Sequence, residues 1–186
     1  MQDVAMFYTD LAKKPAVGLP EKFILSTIHR AENTNDIKKL KTIFAAFNEI
    51  AKETPVVLPI HPRTKKLVEK HNIDLDFMVI PPVGYLEMVY LLKHCKLVIT
   101  DSGGLQKEAF FFRKPCMTLR DQTEWVELIE SGVNQLVEID KNKIVAICKN
   151  IDRTTYNFDI DLYGGGKAAE RIAQELIHFE ATVLSS

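Results

Sequence analysis

The sequence has little cysteine, little net charge and no long apolar run, and each shortage excludes something. Its three cysteines, Cys95, Cys116 and Cys148, are odd in number, widely spaced and set in apolar surroundings. That pattern fits buried reduced thiols rather than a disulfide frame, and it points to a cytoplasmic protein. No His and Cys spacing of a metal site appears, so no metal or organic cofactor is expected. Lys and Arg number 24 against 25 Asp and Glu, which leaves a net charge of -1. A broad nucleic-acid surface would need clustered cations to displace counterions, so no nucleic-acid partner is expected and any anion must be bound locally. No apolar stretch approaches the roughly 18 to 20 residues of a membrane helix, and the first residues lack the basic and apolar blocks of a signal peptide. Neither a G-x-G-x-x-G fingerprint nor a G-K-[ST] phosphate loop occurs, which makes NAD and ATP poor candidates. No internal repeat or low-complexity segment interrupts the chain.

What remains is a chain of 186 residues, 46% hydrophobic, with enough apolar material for one sizeable core. We read it as one domain over residues 1–186. The N-terminal stretch "QDVAMFYTDLAK" carries Val4, Phe7, Tyr8 and Leu11 on one helical face. Short apolar strands at "FILST", "VVLPI", "FMVI", "LVIT", "CMTL" and "QLVEI" then alternate with segments of helical period. The longest of these, "NDIKKLKTIFAAFNEIAKE", has Ile37, Leu40, Ile43, Phe44 and Phe47 in register behind a cap at Asn35 or Asp36. The rhythm β, α, β, α predicts an α/β fold with a doubly wound parallel sheet, Rossmann-like, with the final helix "GKAAERIAQELIHFEA" packed on its outside.

In such a sheet ligands bind beyond the carboxyl ends of the strands. Polar loops follow four of them: His29-Arg30-Ala31-Glu32-Asn33, His61-Pro62-Arg63, Asp101-Ser102-Gly103-Gly104 and Arg120-Asp121-Gln122-Thr123-Glu124. Singly each is weak, since an Asp or Asn after a strand is often only a helix cap. In "LVITDSGGLQKEA" two glycines let the backbone approach a ligand, Ser102 adds a hydroxyl, and the following helix offers unsatisfied N–H groups and its dipole. A phosphate or diphosphate suits that arrangement. Glu108, just over one turn from Gly104, is placed to accept from the hydroxyls of an attached sugar.

"TIHRAEN", "HPR", "TDSGGLQKEA", "LRDQTEW" and "YGGGKAAERI" resemble, in order and spacing, the signatures of the non-hydrolysing UDP-N-acetylglucosamine 2-epimerases. The resemblance covers the C-terminal, nucleotide-binding half of that family's glycosyltransferase-B type fold, with its closing helix, and implies that the N-terminal catalytic half is absent. It implies that Ser102, Gly103 and Gly104 hold the diphosphate of a UDP-sugar and that Glu108 holds the ribose. His29 matches the family's active-site histidine, and Arg30 and Glu32 would shape its loop. Family members, isomerases of cell-surface polysaccharide biosynthesis, invert C2 of the sugar by eliminating UDP and adding it back with the proton on the other face. The carboxylates that move this proton belong to the other half, so the chain alone would be inactive. The full-length protein would be a homodimer and this piece a monomer or weak dimer, with no membrane partner.

The sequence departs from the common pattern in places. "TEW" stands where "TER" is usual, putting Trp125 in place of an arginine. "HPR" replaces the more frequent H-x-N-P form, and Met88 stands where many members place an aromatic near uracil. These changes resemble the branch acting on UDP-2,3-diacetamido-2,3-dideoxy-glucuronic acid, whose sugar carboxylate would welcome Arg63 or Arg120. Bland readings stand beside these. His61 contacts substrate or effector, or only bonds backbone; Arg120 and Asp121 reach ligand, or pair with each other; Thr123 and Glu124 serve the site, or cap a helix; Trp125 packs or stacks. Two other functions share the fold: the nucleotide-binding half of a retaining UDP-sugar glycosyltransferase, and a non-catalytic interaction domain, which predicts no nucleotide affinity.

Overall fold

Strands that are buried along their whole length can only sit in the middle of a layered molecule. In the computed structural model, which describes residues 1–184 and the side chains of the last helix through Phe179, the four inner strands do so and the two edge strands are partly exposed. Six strands, β1 (Ile24–Thr27), β2 (Val56–Pro59), β3 (Met78–Ile80), β4 (Leu97–Thr100), β5 (Cys116–Thr118) and β6 (Asn134–Leu136), pair in the order 3-2-1-4-5-6, all parallel. The predicted doubly wound sheet is therefore present. Successive residues along a strand face opposite layers. Ile24, Val56 and Leu58 join one core with α3 (Ile37–Ala51), α4 (Pro62–Lys70) and α8 (Lys141–Asn150). Leu25, Val57 and Val98 join the other with α5 (Tyr85–His94) and α6 (Gly103–Phe111). All three cysteines are free and buried, and burial pushes each thiol up to about 12.

Local chemistry sets the helix starts. Asp36 caps α3 by accepting from the N–H groups of Lys38 and Lys39, and Asp140 caps α8 through Lys143. His61 caps α4, its Nδ1 accepting from the Arg63 N–H at 3.2 Å, with Pro62 in the first turn.

Four expectations need correction. The loop after β1 contains a short helix, α2 (Ala31–Thr34), fixed by the Thr34 hydroxyl donating to the Arg30 carbonyl. The N-terminal helix, α1 (Gln2–Phe7), stops short of Leu11 and is followed by a 3-10 turn over Thr9–Leu11. Its apolar face is not a core face: Ala5 is buried, whereas Val4, Phe7 and Leu11 are 50%, 70% and 53% exposed. Thr123 and Glu124 do not cap the next helix, α7 (Val126–Glu130), whose cap position is Trp125. The final helix, α9 (Ala168–Leu184), does not pack on the sheet: Ile172, Leu176, Ile177 and Phe179 are exposed. Both sheet faces are covered by the other helices. Its described tie to the N-terminus is the Ala169 N–H donating to Asp3.

Candidate functional site at the centre of the sheet

Strand order reverses between β1 and β4, whose connections leave in opposite directions and open a crevice at their carboxyl ends. The chain emerges there as Ile28-His29-Arg30 on one side and Asp101-Ser102-Gly103 on the other. The two exits are tied together. Thr27 and Thr100, opposite each other in the register, share a hydroxyl hydrogen bond of 2.6 Å. The wholly buried Asp101 accepts from the backbone N–H of His29 (3.1 Å to either oxygen), from that of Arg30 (3.0 Å) and from Asn33 Nδ2 (3.1 Å). It also lies 3.7 Å from His29 Nδ1. That separation is beyond hydrogen-bond length, and the partly exposed imidazole lines the crevice beside the carboxylate. Asp101 thus organises the site without lining it. A post-strand Asp reads as a helix cap, so its role left no signal that sequence reasoning could weigh.

A cleft of about 330 Å³ opens at this point, lined by His29, His61, Met88, Ser102, Gly104 and Glu108, with Thr27, Pro82, Val83 and Leu105 among its walls. The His29 and His61 rings lie 5.9 Å apart across it. Ser102 caps α6 with its hydroxyl 3.5 Å from the Leu105 N–H, at the limit of a hydrogen bond. That leaves the hydroxyl and the first-turn N–H groups largely available to an anion. Glu108 lies beside Tyr85; burial raises the Glu108 carboxyl above its ordinary range, and burial with the adjacent carboxylate pushes the Tyr85 phenol up to about 12.

The remaining residues named from the sequence form a charged collar beside the cleft. Arg120 is 7% exposed and donates to Glu124 at 2.8 Å, with Glu32 at 3.9 Å. The Arg120 guanidinium holds the Glu124 carboxyl below its usual range. Arg120 does not pair with Asp121, which instead faces Lys39 at 3.8 Å, because the buried guanidinium points inward while Asp121 is exposed. Arg30 is looser, 3.7 Å from Glu124 and 4.0 Å from Glu32, and its side chain is one-third exposed. Arg63 is not brought to the cleft; it is exposed and donates to Asn35. Trp125, half-buried, packs beside Phe110 and Leu128, and its indole N–H donates to the Gly103 carbonyl at 2.8 Å. Sequence reasoning did not foresee that bond. Among the described residues no group of three or more His, Cys, Asp and Glu could hold a metal ion.

The sequence model of the family described as UDP-N-acetylglucosamine 2-epimerase matches residues 1–177. The chain belongs to that family. A UDP-2,3-diacetamido-2,3-dideoxy-D-glucuronate 2-epimerase of Pseudomonas aeruginosa is 52% identical over 95% of this chain and 50% of its own length. A UDP-N-acetylglucosamine 2-epimerase of Methanocaldococcus jannaschii is 37% identical over 88% of this chain and 46% of its own. The chain thus spans about half the length of the curated relatives it matches. Among solved epimerases, one from M. jannaschii in complex with UDP-GlcNAc and UDP superposes with a TM-score of 0.82 at 33% identity, covering 95% of this chain and 52% of that one. One from Neisseria meningitidis bound to UDP-GlcNAc gives 0.79 at 27%, covering 95% and 53%.

Proposed function

We propose that this chain is the UDP-binding half of a sugar-nucleotide 2-epimerase that inverts C2 by elimination and re-addition of UDP. The observation that carries the reading is the convergence of Ser102, Gly104, Glu108 and His29 on one cleft at the sheet's switch point, in a chain of this family. The diphosphate sits on the first turn of α6, where Ser102 and the Gly103 and Gly104 N–H groups meet its charge. Glu108, lining the same cleft beside Tyr85, offers its carboxylate to the ribose hydroxyls. As the bond from C1 to the phosphate oxygen breaks and the C2 proton leaves, negative charge grows on UDP. Preorganised donors at α6 and His29 across the cleft stabilise that charge, and re-addition with the proton on the opposite face completes the inversion.

The finer reading is a UDP-2,3-diacetamido-2,3-dideoxy-glucuronic acid substrate, supported by the 52% identity to the P. aeruginosa enzyme of that name. Arg120 is committed to Glu124 and Arg63 lies aside, so Arg30 is the collar cation best placed for a sugar carboxylate. Reduced, buried thiols fit a cytoplasmic setting, and among the described residues no helix is long and apolar enough to cross a membrane. A glycosyltransferase reading has less behind it: the solved glycotransferase of kitacinnamycin superposes with a TM-score of 0.63 at 13% identity, which shows the fold alone.

Calorimetric titration with UDP tests the site. Wild type is expected to bind, and Ser102→Ala combined with Glu108→Ala to lose binding while unfolding as cooperatively as wild type. Equal binding by both proteins would place the nucleotide elsewhere.

A further inference from the structure

The Ser-Gly-Gly turn has an unusual support. Gly103 and Gly104 are the first two residues of α6, where the N–H groups have no partner in a preceding turn and no side chain stiffens the peptide units. The Gly103 carbonyl and the Gly104 N–H belong to one planar trans peptide unit, so they point in opposite directions and turn together. Gly104 lines the cleft, whereas Trp125 stands behind the turn with its indole N–H 2.8 Å from the Gly103 carbonyl. Holding that oxygen fixes where the Gly104 N–H points.

Trp125 is itself anchored from several sides. Its backbone N–H donates to the Thr123 hydroxyl at 3.2 Å, and that hydroxyl donates to Gln106 at 2.7 Å. The wholly buried Gln106 accepts in turn from Asn134, which accepts from Thr118 on β5, so the chain of bonds ends in the sheet. Lys107 lies one helical turn beyond Gly103, and its ammonium sits 4.0 Å from the centre of the Trp125 ring and 4.2 Å from that of Tyr163. The ring is therefore clamped to the residue one turn below the carbonyl it holds. The turn is closely surrounded as well: a Cβ on Gly103 would come into ordinary contact with Arg30 at 3.4 Å, Glu124 at 3.7 Å and the indole nitrogen at 3.8 Å.

We infer that Trp125 is a positioning residue for the diphosphate: through the Gly103 carbonyl it aims the Gly104 N–H into the cleft, without touching the nucleotide. The inference rests on the UDP reading above. It predicts a loss confined to the phosphate-dependent part of binding, whereas a merely structural tryptophan would alter uridine and UDP alike or neither.

Trp125→Phe keeps an aromatic face for Lys107, Phe110 and Leu128 but has no N–H. The chain, wild type and variant, is titrated with UDP by calorimetry and with uridine by NMR. UDP affinity is expected to fall about five- to tenfold, the worth of one hydrogen bond, with uridine affinity unchanged. If Trp125→Phe does not unfold cooperatively, Lys107→Met reads the same clamp by loosening the ring while sparing the indole N–H, with a smaller loss that is again confined to UDP. Unchanged UDP affinity, or equal losses for both ligands, would overturn the inference while leaving the UDP site standing. A wild type that binds neither ligand would remove the site itself and the inference with it.

Discussion

Two acids seven residues apart, Asp101 and Glu108, serve the same crevice in opposite ways. Asp101 is wholly buried and turned inward, and two backbone N–H groups and an asparagine amide from the β1 exit satisfy it. Glu108 faces the cleft beside Tyr85, and burial makes its charge unfavourable. The first uses its lone pairs to join two loops; the second keeps capacity in reserve, which is what a ligand-binding group needs. The difference separates the frame of the site from its working surface and gives each a distinct signature on mutation.

The largest effect is expected at the frame. Asp101→Ala leaves the N–H groups of His29 and Arg30 and the Asn33 amide without their acceptor inside the protein, and should cost about 3 kcal/mol or more in denaturant unfolding. At the working surface the balance inverts. Glu108→Ala should weaken UDP by roughly ten- to a hundredfold, the range for hydrogen bonds to a charged group, with little loss of stability. Gly103→Ala should fall between the two. The methyl would meet Arg30, Glu124 and Trp125 at ordinary contact distance, so the fold tolerates it, but UDP affinity should drop a few-fold because a side chain at 103 narrows the backbone's approach to the ligand.

The smallest effect is a pH dependence at Glu108. Its folded carboxyl holds a proton more tightly than the unfolded chain does, so stability falls as pH rises through the unfolded and then the folded value, and is flat above. Glu108→Gln removes that fall while keeping the side chain's size and its place beside Tyr85. The variant should therefore melt slightly higher than wild type at neutral pH and not at the acidic end, and thermal unfolding at both pH values checks it.

The sheet was legible because each strand is a short apolar run closed by a polar loop, and the helices because their apolar residues recur at helical spacing. The cleft was legible for the same reason: the residues after β1, β2 and β4 had to meet wherever a doubly wound sheet reverses. What sequence could not show is which polar groups the protein uses on itself. Nothing local distinguishes Asp101, a hub, from an ordinary cap, or Arg120, locked to Glu124, from a free cation. The indole bond to Gly103 joins residues 22 apart, and no periodicity reports such a contact. The apolar residues of α1 and α9 misled in the other direction, since helical spacing marks a face but not whether this chain covers it.

The most direct test of the account is amide NMR of the nitrogen-labelled chain during titration with UDP. The account predicts that the largest shifts fall on Ser102, Gly103, Gly104 and Leu105, with a second group at His29 and Arg30. Shifts concentrated at the opposite edge of the sheet, around the separate cleft lined by Cys116, Asn134 and Tyr156, would contradict it.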